Sequence, residues 1–308
     1  MKAIRLHEFG GPEVLLFEDA PTPVISDDQM LVRVHAAGIN PVDGKIRSGE
    51  FHLFRPQLPA TIGRDLSGVI EQVGSRVSGW REGDEVFGMI GYERGAYAEL
   101  AAALPIEIAR KPAEIDHLHA GVIGVAGLTA WQSLFDQGEL QAGQRVLIHG
   151  GGGGVGHFAV QFAALHGAEV IATASPKDID FVRSLGAAEV IDYKAQHFEK
   201  TVRGIDLVLD LIAGETRARS WQVLKPGGLI VSTLGEPEVP PNAPARVRGR
   251  ATVVRCEAGQ LTEIAQLAAS GRLRIELAKV YSLAEARQAH EQMENAHSRG
   301  KTVLKVSD

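Results

Sequence analysis

One cysteine, Cys256, stands in a chain of 308 residues, which excludes an intramolecular disulfide and any zinc site built from several thiolates. A reducing compartment follows, and Cys256 reads as a small buried apolar residue rather than a nucleophile. Positive charge is also short. The 32 Lys and Arg against 38 Asp and Glu leave a net charge of −6, without the basic excess that nucleic-acid binding needs. The local cluster Arg246, Arg248, Arg250 and Arg255 is then solvated surface or the mouth of an anion site. Long apolar runs are missing too: the longest, 120–131, is too short for a bilayer, and the opening KAIRLHEFGG carries no apolar signal core. These absences predict a cytoplasmic globular protein without a nucleic-acid or membrane partner. With 44% hydrophobic and 23% charged residues, the chain is long enough for two domains.

Glycine, by contrast, is plentiful, and five glycines are consecutive at 150–154. The aliphatic run 145–149 before them reads as a short buried strand. After them Val155, Phe158, Ala159, Phe162 and Ala163 recur at helical spacing. Within the turn Gly151, Gly153 and Gly156 match G-x-G-x-x-G, and Gly154 and Val155 complete the loop. Such glycines permit a tight turn, close approach of backbone to a pyrophosphate, and close helix–strand packing. The helix start then offers free N–H groups to phosphate oxygens. A strand before and a periodic helix after are the context that separates a dinucleotide site from a flexible glycine loop.

The texture of the chain changes along its length. Residues 1–115 are rich in short β-type runs punctuated by Gly and Pro, with strands expected at 2–6, 30–37, 68–73, 84–87 and 96–100. Between the second and third, Asn40-Pro41 opens a turn and Asp43 is placed to cap a short helix. From 116 to 257 helices and strands alternate, with a helix through Thr129 and Trp131 to Phe135 and strands at Val146, Val170, Val190, Leu207, Ile230 and Val253. That alternation implies a doubly wound parallel sheet. The run 225–228, Lys-Pro-Gly-Gly, reads as a helix stop. Residues 258–308 give a helix to Ser270, a strand near 273–280, a helix from Leu283 and a strand at 301–306. Having no sheet edge of their own to fill, they are expected to return to the first domain. The expected class is α/β, a Rossmann sheet inserted in a mostly β domain.

The residues Ala36-Ala37-Gly38-Ile39-Asn40-Pro41-Val42-Asp43, Gly63-Arg64-Asp65-Leu66-Ser67-Gly68-Val69-Ile70, Gly83-Asp84-Glu85-Val86-Phe87-Gly88, Gly127-Leu128-Thr129-Ala130, Ile191-Asp192-Tyr193 and Gly300-Lys301-Thr302-Val303-Leu304 carry a resemblance. With the glycine turn, they make the chain similar to zinc-free members of the medium-chain dehydrogenase/reductase superfamily, in the quinone oxidoreductase branch that includes alkenal and enone reductases. The resemblance spans nearly the whole chain. It implies a GroES-like catalytic domain, an inserted Rossmann domain, an active-site cleft between them, and a homodimer. It also implies that a catalytic cysteine of zinc-dependent relatives is replaced here by Asn40 and a histidine by Arg64. His117 and His119 have no ligand partners at a recognised spacing, so no metal is expected.

Cofactor choice turns on the end of the second Rossmann strand. An NAD site places Asp or Glu there, roughly 20 residues past the glycines; Ser175 holds the place and Lys177 follows. A hydroxyl and a cation suit a 2′-phosphate, which predicts NADPH. Ser175 also reads as the cap of the next helix, and both roles can hold together. The resemblance adds Tyr193 at this phosphate, Thr129 at the nicotinamide ribose, and Leu211, Ile212, Thr233 and Leu234 as cofactor-lining positions. It places Asn40 near the nicotinamide and the substrate carbonyl. Lys45 matches a lysine of several enone-reducing members and is either a donor to an enolate oxygen or an exposed lysine. The reaction expected is reduction of a quinone or of the C=C bond of an α,β-unsaturated carbonyl by NADPH. The oxyanion is stabilised by Asn40, and the proton returns from Lys45 or water. Reduction of an enoyl thioester is the rival within enzymes, and a non-catalytic NADPH-binding sensor or structural protein the rival outside them.

Overall fold

The computed structural model describes residues 1–307. The chain forms two compact units, residues 1–128 with 255–308, and residues 129–254. Texture alone put the junctions at 115/116 and 257/258. Packing moves the first one because the segment 117–128 is tied to the first unit, where the buried Asp65 carboxylate accepts from Val125 N at 2.5 Å.

The first stretch of the chain carries β1 (Lys2–Leu6), β2 (Leu16–Asp19), β3 (Met30–Gly38), α1 (Pro41–Ser48), β4 (Ala60–Thr61), β5 (Asp65–Val73), β6 (Glu85–Met89), β7 (Leu100–Ala103), β8 (Ile108–Arg110), α2 (His117–Ala120) and α3 (Gly124–Trp131). The inserted stretch follows with β9 (Arg145–Ile148), α4 (Gly156–Leu165), β10 (Glu169–Ala174), α5 (Ile179–Ser184), β11 (Glu189–Asp192), α6 (Phe198–Thr201), β12 (Ile205–Asp210), α7 (Gly214–Ser220), β13 (Leu224–Ser232) and β14 (Arg248–Ala251). The last stretch gives α8 (Ala258–Ala269), β15 (Leu277–Ser282), α9 (Ala286–Asn295) and β16 (Lys301–Lys305).

The first unit is mostly β. A small antiparallel sheet has the order β2-β1-β4, and a larger one runs β15-β16-β3-β5-β6-β8 with β7 on β3. The closing strand does return to it, β16 lying antiparallel to β3 with Leu304 opposite Ala37. Alternate residues of the strands, among them Ile4, Leu6, Met30, Val32, Val34, Leu66 and Ile70, share one buried cluster. The second unit is a Rossmann sheet of order β11-β10-β9-β12-β13-β14, its neighbours parallel throughout. Leu147, Ile171, Val208 and Ile230 are buried on one face and Val146, Val170, Leu207 and Leu229 on the other, which explains why these strands read as continuous aliphatic runs.

Several elements differ from expectation. The strand expected at 96–100 is β7, at Leu100–Ala103, because the 96–98 backbone is spent crossing between sheets: Ala96 N and Tyr97 N donate to Gly63 O and Ile62 O, and Tyr97 O accepts from Ile4 N. The strand expected at Val253 ends at Ala251, paired through Arg248 to Ala251 with Leu229 to Ser232. Val253 itself lies beyond it, 62% exposed. The run 225–228 is no helix stop but lies inside β13, where the register against β12 shifts and Gly227 takes φ +82°. The strand near 273–280 begins later, at Leu277. The helix through Thr129 ends as α3 at Trp131 and continues as a wide π turn, Gln132–Gln137. There Phe135 packs edge-on to Trp131.

Candidate active site

The glycine turn leaves β9 where strand order reverses, with β10 on one side and β12 on the other, the place where open α/β sheets bind ligands. Gly150 sits at φ +71°. A Cβ on Gly156 would come within 2.1 Å of Gly150 O, and one on Gly151 within 2.9 Å of Ala172 Cβ, whereas one on Gly153 would meet nothing nearer than 3.4 Å. The first two glycines are therefore demanded by packing and the third leaves backbone open, which suits the approach of a phosphate. Gly151 N donates to Thr173 O at 2.9 Å and Gly153 N to Gly150 O at 3.0 Å.

Behind the turn His149 is wholly buried, with Nε2 2.9 Å from Ser220 Oγ and Nδ1 3.2 Å from Thr173 Oγ1. Ser220 Oγ already donates to Thr216 O, so it accepts from His149 Nε2–H. Thr173 Oγ1 accepts from Gly150 N and donates to Nδ1. Burial drags the imidazole pKa down to about 4, and this neutral tautomer braces the turn.

At the end of β10, Ser175 precedes a short 3₁₀ turn but its hydroxyl does not cap the backbone; it donates to Asp178 Oδ2 at 2.6 Å. Asp178 is buried and packs beside the glycine turn, where a Cβ on Gly152 would come 3.3 Å from its own Cβ. Sequence reasoning missed this carboxylate, which sits in the first turn after the position it examined. Lys177 is exposed. Tyr193 N donates to Ala174 O at 3.3 Å, which brings Tyr193, 48% exposed, alongside Ser175.

Leu211, Ile212, Thr233 and Leu234 come together at the ends of β12 and β13, and Asp210 with Arg217 organises them. Asp210 Oδ1 accepts from Ile212 N at 3.1 Å and Ala213 N at 2.8 Å, and Oδ2 accepts from Arg217 Nε at 2.6 Å. Arg217 NH2 donates on to Ser232 Oγ and Leu234 O. Burial pushes the Asp210 pKa up, but the Ala213 N–H and Arg217 outweigh it and hold the carboxyl below its usual range. Ala213 is held at φ +64°, strain of order 1–3 kcal/mol that these bonds offset. Thr129 is buried at the end of α3.

In the first unit Asn40, rather than Asp43, is the N-cap of α1; Asp43 stands at N3 and its Oδ2 accepts from Asn40 N at 2.8 Å. Asn40 is 2% exposed and its amide is occupied. Nδ2 donates to Asp65 Oδ2 at 2.9 Å and lies 3.4 Å from Gly38 O, while Oδ1 accepts from Lys301 Nζ. Lys45 is exposed on the far side of α1 from the buried Asp43, Ile46 and Arg47, so it does not join this group. Asp65 and Lys301 each open a strand, β5 and β16, and the signal that could have found them is a charged residue at the head of an otherwise apolar run.

A second buried chain supports Asp43. Tyr97 OH donates to its Oδ2 at 2.8 Å, His290 Nε2 lies 3.4 Å from the phenol oxygen, and His290 Nδ1 accepts from Arg47 NH1 at 3.0 Å. Because Arg47 only donates, the imidazole keeps its proton on Nε2. Burial raises Asp43 to about 6 against the help of Tyr97 and Asn40 N, and lowers His290 to about 3.

Arg64 Nε donates to Ile90 O at 3.1 Å, its guanidinium lies 3.8 Å from the Tyr92 ring centroid, and NH1 is buried without a hydrogen-bond partner. Phe51 and Phe54 pack on the same tyrosine. A guanidinium has no lone pair for a metal, and the Asn40 oxygen faces an ammonium, so these two side chains do not make a zinc ligand pair. Among the described residues no group of three or more His, Cys, Asp or Glu is placed to hold a metal ion. Cys256 donates from Sγ to Met89 O at 3.0 Å, and burial pushes its thiol up to about 11, as an unreactive cysteine requires.

Residues 26–113 match the family described as alcohol dehydrogenase GroES-like domain, and residues 185–304 that described as zinc-binding dehydrogenase. The chain is 37% identical to the quinone oxidoreductase of Sus scrofa, over 98% of this chain and 96% of the relative. Its structure is similar to that of the quinone oxidoreductase from Coxiella burnetii, with a TM-score of 0.90 and 37% identity covering 100% of this chain and 99% of that one. It is also similar to the Escherichia coli quinone oxidoreductase complexed with NADPH, with a TM-score of 0.89 and 27% identity covering 99% of this chain and 100% of that one.

Proposed function

The chain belongs to the quinone oxidoreductase branch of the medium-chain dehydrogenase/reductase superfamily, and on that premise we propose that it reduces quinones or the C=C bond of α,β-unsaturated carbonyls with NADPH, without zinc. The observation that carries the reading is the glycine turn at the reversal of strand order, closed by packing at Gly151 and Gly156 and open at Gly153. With the N–H groups of Gly151 and Gly153 engaged, a pyrophosphate is met by Gly154, Val155 and Gly156 at the mouth of α4. Ser175, Lys177 and Tyr193 hold the 2′-phosphate. Asp178 counts against that assignment, although its charge is partly answered by the Ser175 hydroxyl. Thr129, Leu211, Ile212, Thr233 and Leu234 line the nicotinamide half, with Ile212, Thr233 and Leu234 bonded to Asp210 or Arg217.

NADPH, when bound, supplies a hydride. The side chains stabilise the charge that reaches the acceptor's oxygen, and Asn40 is the donor assigned to it. Proton return falls to water or to Lys45, which reaches the acceptor only from the solvent side because it stands apart from the Asn40 group. An alcohol substrate would need deprotonation, for which a zinc-bound alkoxide is the usual device; a conjugated acceptor does not. The reading includes a homodimer and, from the single cysteine, a cytoplasmic location.

The test is NADPH consumption by the purified protein against a panel of quinones, enones and an enoyl thioester, before and after prolonged exposure to a strong chelator. Turnover with quinone or enone that survives chelation is expected. NADP⁺-dependent oxidation of simple alcohols at higher rates, or activity restored only by zinc, would overturn the proposal. Binding of NADPH with no turnover would favour the non-catalytic sensor.

A further inference from the structure

We propose that Lys301 is a positioning residue for the reaction, acting through Asn40: its ammonium fixes the Asn40 amide in one orientation and polarises it as a hydrogen-bond donor. The proposal rests on the reading that Asn40 serves the acceptor's oxygen.

Lys301 Nζ faces three oxygens: Ile39 O at 2.7 Å, Asn40 Oδ1 in close contact, and Asp65 Oδ2 at 3.6 Å. The first two accept N–H bonds of the ammonium, and the Asp65 carboxylate, beyond hydrogen-bond reach, pairs with its charge. Lys301, Asn40 and Asp65 are 4%, 2% and 0% exposed, so little water screens these contacts. The amide is thereby held at both ends. Its oxygen meets a cation and its nitrogen donates to the Asp65 carboxylate. Rotating the amide by half a turn would set the NH₂ against the ammonium and the oxygen against the carboxylate, two repulsive contacts in place of two attractive ones. An isolated asparagine has no such preference.

The same contacts hold one donor only weakly. Of the two Nδ2 hydrogens, one goes to Asp65 Oδ2 at 2.9 Å and the other to Gly38 O at 3.4 Å, at the long end for an N–H···O bond, so the second is the one an acceptor's oxygen would take over. A cation on the amide oxygen withdraws electron density from nitrogen and strengthens that second donor, the cooperative effect expected of linked hydrogen bonds in a dry site. Opposed charges also explain why burying them is tolerated. Burial lowers the Lys301 pKa and raises that of Asp65, and each partner works against the other's shift.

The experiment is a double-mutant cycle on the full chain, reading kcat/KM for a quinone with NADPH and, separately, NADPH affinity by fluorescence quenching. Lys301→Met is expected to lower kcat/KM about tenfold to a hundredfold in the native background. In the Asn40→Ala background it should change kcat/KM by less than about twofold, because a residue that acts through another has nothing left to act on. NADPH affinity should stay unchanged in all variants. Equal factors in the two backgrounds would overturn the role of Lys301 while leaving Asn40 and the overall reaction intact. No effect of Asn40→Ala would remove the role of Asn40 and this proposal with it. Because Lys301→Met leaves Asp65 buried and unpaired, the cycle is repeated with Lys301→Met/Asp65→Asn, which removes both charges. The same non-additivity with Asn40→Ala is expected there, and additivity again counts against the proposal.

Discussion

Ser175, Lys177 and Asp178 show how closely opposing charges are set at one end of one strand. The hydroxyl that replaces an NAD-type carboxylate donates to a carboxylate three residues on, so negative charge is displaced from the strand end and not removed. On the proposed NADPH reading, discrimination against NADH requires Lys177 to outweigh Asp178. Lys177→Ala should weaken NADPH by about fivefold to a hundredfold with little change for NADH, the range for a lost charge-assisted contact. Asp178→Asn should shift the preference the other way, further towards NADPH. Titration of both cofactors checks it, and equal affinity of the wild type for the two would refute the assignment of this phosphate site.

At the scale of elements, what was legible followed from short-range rules. The β9–glycine–α4 unit was readable because aliphatic strand, glycine turn and helical periodicity are all local, and its packing bears out the need for glycine at 151 and 156. What escaped depended on partners far along the chain. Arg248 and Arg250 gave β14 too polar a look for a strand, while the apolar 251–254 drew the expectation two residues too far; parallel pairing with β13 decides the matter. Arg250 is accommodated there because it bonds to Gln137 O and Glu139. Asn40 was legible as a turn residue but not as the member of a buried triad, since Asp65 and Lys301 are 25 and 261 residues away from it. Lys45 was singled out by motif alone and faces solvent. Asp210 and Arg217 fall in the same class: separated by 7 residues, they acquire meaning only when β12 and β13 are side by side.

Two consequences belong to the whole molecule. The first is the response of stability to acid. His149 and His290 would protonate near 6.5 when unfolded but only near 4 and 3 when folded, so across that window the unfolded chain binds more protons and the fold loses stability as pH falls. Asp43 runs in the opposite sense, taking its proton near 6 when folded and near 3.8 when unfolded, and burial raises Asp65 and Glu107 in the same direction; His117, lowered to about 4 by burial, joins the two imidazoles, and the three together set the sign. The melting temperature should therefore drop between pH 6.5 and 4.5. His149→Gln and His290→Gln, whatever their effect at neutral pH, should flatten the slope; an unchanged slope would show that other groups carry it.

The second is assembly. β14 ends the Rossmann sheet, hydrogen-bonded to β13 on one side, and an open strand edge is a template for pairing with another chain. Natural edges are commonly blunted by charge, and Arg248 and Arg250 look like such protection. Arg250, however, is drawn back onto Gln137 O and Glu139 within its own unit. Arg248 stays exposed at the head of the strand, but beyond it the edge carries the small residues Gly249 and Ala251, followed by Val253 at 62% exposure, an uncommon setting for an apolar side chain on a face that stays wet. A twofold axis beside β14 would pair the strand with its own copy, antiparallel, and cover Val253 in both chains at once. The protein should therefore be a dimer by light scattering at micromolar concentration. Val253→Glu, which sets two like charges near the axis, should shift it towards monomer while leaving NADPH affinity in place. A wild type that scatters as a monomer would rule this edge out as an interface.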